Sequence, residues 1–249
     1  MATGDLIQAI RDEAGALADA AGLGLNASVP RYSGWTLADL VCHTGDIHRW
    51  VSATIEQRAL DRVPRAALGS HIDPAALTSW FADGARRLAD VLETTDPAVA
   101  VWTLSDEGAV GFWRTRMAHE TAIHRWDAQS AHGEAKPIAA WLARSGISES
   151  VVRHLPVGGI QIGGSGERLQ IHCLDEPGDW IVTLLPTELR VEEGPVPSAV
   201  DATVAANASD LWLLLGGRSF GAQLRVIGDR SILERFEAAL QLATVPQLS

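Results

Sequence analysis

The stretch SGWTLADLVCHTGDIHRWVSATI, residues 33–55, reads as an amphipathic helix whose start is written into it. Thr36 and Asp39 have the spacing of a capping box, in which two side chains satisfy backbone N–H groups that the first turn leaves open. Leu40, His43, Ile47 and Trp50 then recur at helical intervals and share one face. A histidine therefore points into an apolar stripe. Taken alone, such a histidine is more often a hydrogen-bonded core residue than a ligand.

The same period continues on either side. Leu6, Ile7, Ile10, Ala14 and Leu17 make a stripe that stops near Gly22 and Gly24. Asp73 and Pro74 are an N-cap and a first-turn proline, and they open a helix that runs through Leu77, Trp80, Phe81, Leu88 and Leu92. A fourth helix is expected from about Gly111 to Ser130, with Trp113, Met117, Glu120, His124 and Asp127 along one line. A shorter one, from about Pro137 to His154, would close this half. Long amphipathic helices with moderate loops predict a helix bundle, whose core is where ligands from facing helices meet.

Glu120 and His124 are four residues apart, in MAHETAIHRWDAQ, residues 117–129. On a helix they project from one face, about 5–6 Å apart at Cβ. A carboxylate oxygen and an imidazole nitrogen at that separation can close on one divalent ion, and His43 can supply a third ligand from a facing helix. E-x-x-x-H is also a common surface pairing, and with eight histidines some coincidental spacing is expected. Two details favour the metal. Both elements lie on inward lines, where a lone carboxylate is costly to bury without a cation. No other histidines make an equally good set: His119 is rotated from Glu120, and His48 is five residues from His43. Three protein ligands leave a coordination position open, as in catalytic zinc sites. Zinc, nickel and iron all accept this ligand set.

After Pro156 the period changes. GERLQIHCLD (166–175) and DWIVTLLP (179–186) alternate as strands do, TELRVEEG (187–194), DATVAANA (201–208) and AQLRVIGD (222–229) suggest more, and SDLWLLLGG (209–217) and SILERFEAALQLA (231–243) read as helices. The reading is α+β in two domains, 1–155 and 156–249, with LPVGGIQIGGSGE (155–167) as linker and hairpin. Its glycines lack the strand-then-helix setting of a phosphate loop.

A net charge of −11 argues against a nucleic-acid partner, which needs clustered Lys and Arg. The two cysteines, Cys42 and Cys173, belong to no CxxC pair, so a disulfide scaffold is unsupported and a reducing cytoplasm fits. The N-terminus does not read as a signal peptide, and no apolar run is long enough to predict a membrane span. The expected partners are small molecules.

The segments GWTLADLVCHTGDIHRW and HETAIHRWDAQ, with the order of a helical half followed by an α+β half, resemble the mycothiol-dependent maleylpyruvate isomerase family over nearly the whole chain. The resemblance implies a DinB-like four-helix bundle followed by a small sterol-carrier-like domain. Carried over by position, the family's zinc ligands fall on His43, Glu120 and His124. It implies mycothiol, the low-molecular-weight thiol of actinobacteria, as thiol cofactor or co-substrate, and a metal-bound thiolate that attacks an electrophilic small molecule. In an isomerase the thiol adds across a cis double bond, the bond rotates and the thiol leaves; in an S-transferase the adduct is kept or a leaving group is displaced. DLWLLLGGRSF (210–220) is similar to a family stretch that carries a functional arginine, which places that role on Arg218. An arginine capping the end of a short helix accounts for Arg218 equally well. Asp127 can orient a ligand or pair with Arg125. The arginines of the bundle half, Arg49, Arg114, Arg116 and Arg125, are not clearly inward by phase, and Trp35, Trp50, Trp113 and Trp126 read as core. A reading of another class also stays open, that of a metal- or ligand-binding protein without catalysis.

Overall fold

The structure, a computed structural model, describes residues 3–151, 163–194, 199–218 and 224–242. It divides into two compact units, residues 1–136 and 137–249. The first holds four long helices: α1 (Thr3–Gly22), α2 (Leu37–Glu56), α3 (Pro74–Thr94) and α4 (Val110–Ser130). The expected capping box is formed at α2, where Thr36 N–H donates to Asp39 Oδ2 at 2.8 Å and Asp39 N–H to Thr36 Oγ1 at 3.4 Å. At α3, Asp73 Oδ1 accepts Ala75 N–H at 2.8 Å.

α1 packs along α3 and α4, and α2 packs along the same two, so α1 and α2 sit across one diagonal of a four-helix bundle. The core is filled by the apolar lines read from the sequence, including Leu17, Leu40, Ile47, Phe81, Leu88 and Trp113, all fully buried. Between α2 and α3 the contact is close. A Cβ on Gly45 would run into the Trp80 ring, and one on Gly84 into the Arg49 guanidinium. Arg49 lies over that ring at 3.7 Å. Trp50, Trp102 and Trp113 cluster with ring centroids 5.5–6.1 Å apart. Their indole N–H groups anchor the loops: Trp50 donates to Val63 O at 2.7 Å and Trp113 to Trp102 O at 2.8 Å.

The second unit begins with α5 (Ala140–Glu149). Its sheet has β1 (Glu167–Cys173), β2 (Asp179–Leu184), β3 (Leu189–Glu193), β4 (Ala202–Ala206) and β5 (Arg225–Gly228), in the order β3-β2-β1-β4-β5. β1 and β4 run parallel, and every other pair is antiparallel. Helices α6 (Ala208–Leu215) and α7 (Arg230–Leu242) pack on β1 and β4. Period-2 alternation is plain in β1, where Leu169, Ile171 and Cys173 are buried between less buried residues.

The division falls earlier than the position near 155 expected from periodicity. α5 packs on α6, with the Trp212 indole seated over Gly146, so this helix belongs to the second unit rather than the bundle. Most of the expected linker, residues 155–162, lies outside the described residues. No helix among the described residues is long and apolar enough to cross a membrane.

Candidate metal centre

α4 carries the site, and its composition is unusual for a buried helix. Arg114, Glu120, His124, Arg125 and Asp127 are all buried along with Trp113, Met117 and Ala118. Such a helix is tolerated only when each charge has a partner. Arg114 donates to Leu92 O at 3.0 Å and Thr95 O at 2.7 Å, and Arg125 pairs with Glu13 at 2.5 Å.

Glu120 and His124 face His43 of α2. One ligand atom from each of the three lies within 4.8 Å of the other two. His124 Nε2 is 3.0 Å from Glu120 Oε1, and His43 Nε2 is 3.9 Å from the same oxygen. The two imidazoles meet edge to face at 89°, with centroids 5.3 Å apart. Among the described residues this is the one group of three or more such side chains with donors close enough to share an ion.

Two further contacts prepare the donors. Asp127 Oδ2 lies 3.1 Å from His124 Nδ1. A carboxylate only accepts, so it holds the imidazole proton on Nδ1 and leaves the Nε2 lone pair toward His43 and Glu120. Asp127 therefore orients a candidate ligand, while Arg125 turns to Glu13. Arg116, one turn before Glu120, pairs with Oε2 and leaves Oε1 to the histidines. His43 Nε2 is buried with no hydrogen-bond partner. A buried unsatisfied polar atom costs about 1–3 kcal/mol. A divalent cation among these three donors would satisfy it, and two imidazole nitrogens with one carboxylate oxygen suit zinc and its neighbours in chemistry.

The electrostatics agree. Burial, and then the charge of His124, pull His43 down to about 4, so it is neutral at pH 7 and its lone pair is available. Burial alone would raise the Glu120 carboxyl, but Arg116 and His124 outweigh it and hold it well below the usual carboxylate range. Burial would lower His124; the Glu120 charge and the bonds to Asp127 and Glu120 reverse that and raise it. Without a metal this imidazole attracts a proton between two carboxylates, and a divalent cation held here would take that proton's place.

His48 is fully buried beside this group without joining it. Its Nε2 lies 3.0 Å from Thr121 Oγ1, which itself donates to Met117 O at 2.7 Å. His119 is fully buried outside the trio as well. Cys42 is partly buried against the core, as expected for a small packing residue.

Several features were not read from the sequence. Arg116 and Arg65 both reach the centre, Arg65 with Nη2 3.4 Å from His43 Nδ1. Arg116 had a signal in its i−4 spacing to Glu120, whereas Arg65 comes from the α2–α3 loop and had none. Trp35, expected as core, is partly buried with its ring 5.3 Å from His43, and Tyr32 stands 4.9 Å from Trp35 and 6.2 Å from His124. Arg218 lies in the second unit, buried just after α6, with its backbone N–H on Leu213 O at 2.8 Å and Nη1 on Gly216 O at 2.9 Å.

Comparison with known proteins agrees with this architecture. Residues 4–129 match the family described as the mycothiol maleylpyruvate isomerase N-terminal domain. The fold is similar to the crystal structure of the mycothiol-dependent maleylpyruvate isomerase, at a TM-score of 0.63 and 16% identity, covering 90% of this chain and 93% of that one. A histidine-to-alanine mutant of that enzyme superposes at 0.61 over the same shares of the two chains, again at 16% identity. No significant sequence match is found among curated proteins. With its matched segment spanning half of its length and holding all four bundle helices, the chain belongs to the mycothiol-dependent maleylpyruvate isomerase family.

Proposed function

We propose that this chain is a mycothiol-dependent metalloenzyme acting on an electrophilic small molecule. The observation that carries the reading is the convergence of His43 Nε2, Glu120 Oε1 and His124 Nε2, with the first of these buried and otherwise unpartnered. A divalent ion held there, zinc foremost, would supply a Lewis acid and lower the pKa of a coordinating thiol, making a nucleophile available at neutral pH.

The chain's own residues divide the remaining tasks. His43 is neutral, His124 would give up its extra proton to the ion, and Asp127 fixes the tautomer of His124. Arg116 occupies Glu120 Oε2 and so directs Oε1 inward. Tyr32 and Trp35 place ring surface beside the two histidines. In an isomerisation the mycothiol thiolate forms a C–S bond at one end of a cis double bond conjugated to a carbonyl, and the electron pair moves to the carbonyl oxygen. The former double bond rotates, the pair returns, and the C–S bond breaks to release the thiol unchanged. In an S-transfer the C–S bond is kept, and a leaving group departs or a proton completes the adduct. A part for Arg218 rests on the family resemblance alone. There it holds a substrate carboxylate or stabilises developing enolate charge, which lysine imitates poorly.

The test is consumption of a panel of electrophiles, maleylpyruvate among them, by zinc-loaded protein with and without mycothiol. The reading expects loss of an electrophile only when mycothiol is present. Binding of zinc and mycothiol with no electrophile consumed would favour the binding-protein reading. For Arg218, the Lys variant should keep its fold and metal while turnover falls about 100-fold; normal turnover would leave the helix-end role.

A further inference from the structure

We propose that Arg65 is the anion-binding residue of this site, taking a carboxylate or similar oxyanion of the substrate beside the metal centre. The assignment rests on reading that centre as the reactive site.

Arg65 is half-buried, and its polar contacts are two long ones, Nη2 at 3.4 Å from both His43 Nδ1 and His43 O. No carboxylate pairs with it among the described residues. The other inward guanidiniums of this unit each have a partner at 3.0 Å or less. Arg114 has two carbonyls at 2.7–3.0 Å, Arg116 has Glu120, Arg125 has Glu13 and Lys136 O, and Arg49 has Trp80 O. A guanidinium offers five donors in a fork that matches a carboxylate. Arg65 therefore sits partly desolvated with most of its donors unspent.

Its place is fixed from both sides. Two residues earlier, Val63 O accepts the Trp50 indole N–H at 2.7 Å; four residues later, Gly69 N–H donates to Asp46 Oδ1 at 2.8 Å. A Cβ on Gly69 would press on Cys42 of α2 at 2.8–2.9 Å, so the loop lies tight against that helix. The competing role, orienting His43, fails on donor chemistry. A histidine that ligates through Nε2 carries its proton on Nδ1, and a guanidinium has no acceptor to receive it. With the metal in place, Arg65 keeps only the long contact to His43 O, and an anionic substrate group is the partner its remaining donors suit.

The experiment uses zinc-loaded full-length protein and succinate, a saturated dicarboxylate that no thiolate attacks, with succinamide as the neutral control. Succinate affinity is measured by calorimetry and zinc affinity by equilibrium dialysis. Arg65→Gln should weaken succinate about 10- to 100-fold, the cost of a charge-assisted contact. Arg65→Lys should recover part of the loss, and zinc and succinamide binding should not change. Succinate affinity that is absent in the wild type or equal in the Gln variant overturns the proposal. So does a parallel loss of zinc, which would make Arg65 a support for His43. Because the assay needs neither mycothiol nor turnover, it can succeed where the enzymatic reading fails, and the reverse.

Discussion

Glu120 assigns its two oxygens to different partners, Oε1 to the histidines and Oε2 to Arg116, and His124 does the same with its two nitrogens. Asp127→Asn would put an amide where Nδ1 of His124 needs an acceptor, favouring the tautomer with its proton on Nε2. Zinc affinity should fall about 10- to 100-fold, the usual effect of losing a carboxylate behind a ligating histidine; a competition titration that finds no change would assign Asp127 to folding alone. His48 offers a pH test. Burial first of all pulls it to about 3 from an ordinary 6.5, so the unfolded chain protonates before the folded one. Its contribution is complete above pH 6.5 and is lost as pH falls toward 3, at about 1.4 kcal/mol per unit. His48→Gln, which keeps an N–H for Thr121, should therefore lose about 2 kcal/mol less stability between pH 7 and pH 5 than the wild type, by urea denaturation. Equal losses would show His48 already charged in the fold. The convergence of His43, Glu120 and His124 was legible because i,i+4 spacing and helical phase fix where short side chains point. Arg116 left only its i−4 spacing to Glu120 as a signal, since a long side chain carries its head well away from its Cβ direction, and Arg65 left none, since a loop's path has no period.

At the scale of elements, caps and alternation located the ends and faces of most helices and strands. Neighbours were harder. The 3.6-residue period of α5 states that it has a buried face without stating what covers it, and the covering element is α6, more than fifty residues later in the chain. Gly146 is what admits the Trp212 ring. Gly146→Ala should cost about 1–3 kcal/mol, as overpacking does. Gly15, exposed on α1 with nothing within 4 Å of an added Cβ, should instead gain roughly 0.5–1 kcal/mol on change to Ala. Denaturation curves of the two variants should move in opposite directions; a tolerated Gly146→Ala would show that α5 and α6 pack loosely.

For the whole molecule, the switch from helical to strand period revealed two parts, and packing moved the division to residue 136. All three candidate ligands, with Asp127, Arg116 and Arg65, belong to the first unit. Residues 1–136 expressed alone should fold as a helical bundle and hold zinc as tightly as the full chain; a need for residues 137–249 would mean the second unit completes the metal centre. The claim on which everything else depends is that His43, Glu120 and His124 form one metal centre. Equilibrium dialysis of the full chain against zinc tests it most directly. The wild type should bind one ion per chain, and His43→Ala and His124→Ala should each weaken it beyond the roughly 100-fold that loss of a supporting carboxylate can cost. Full zinc occupancy in both variants at the same free zinc concentration, or no zinc bound by the wild type, would contradict it.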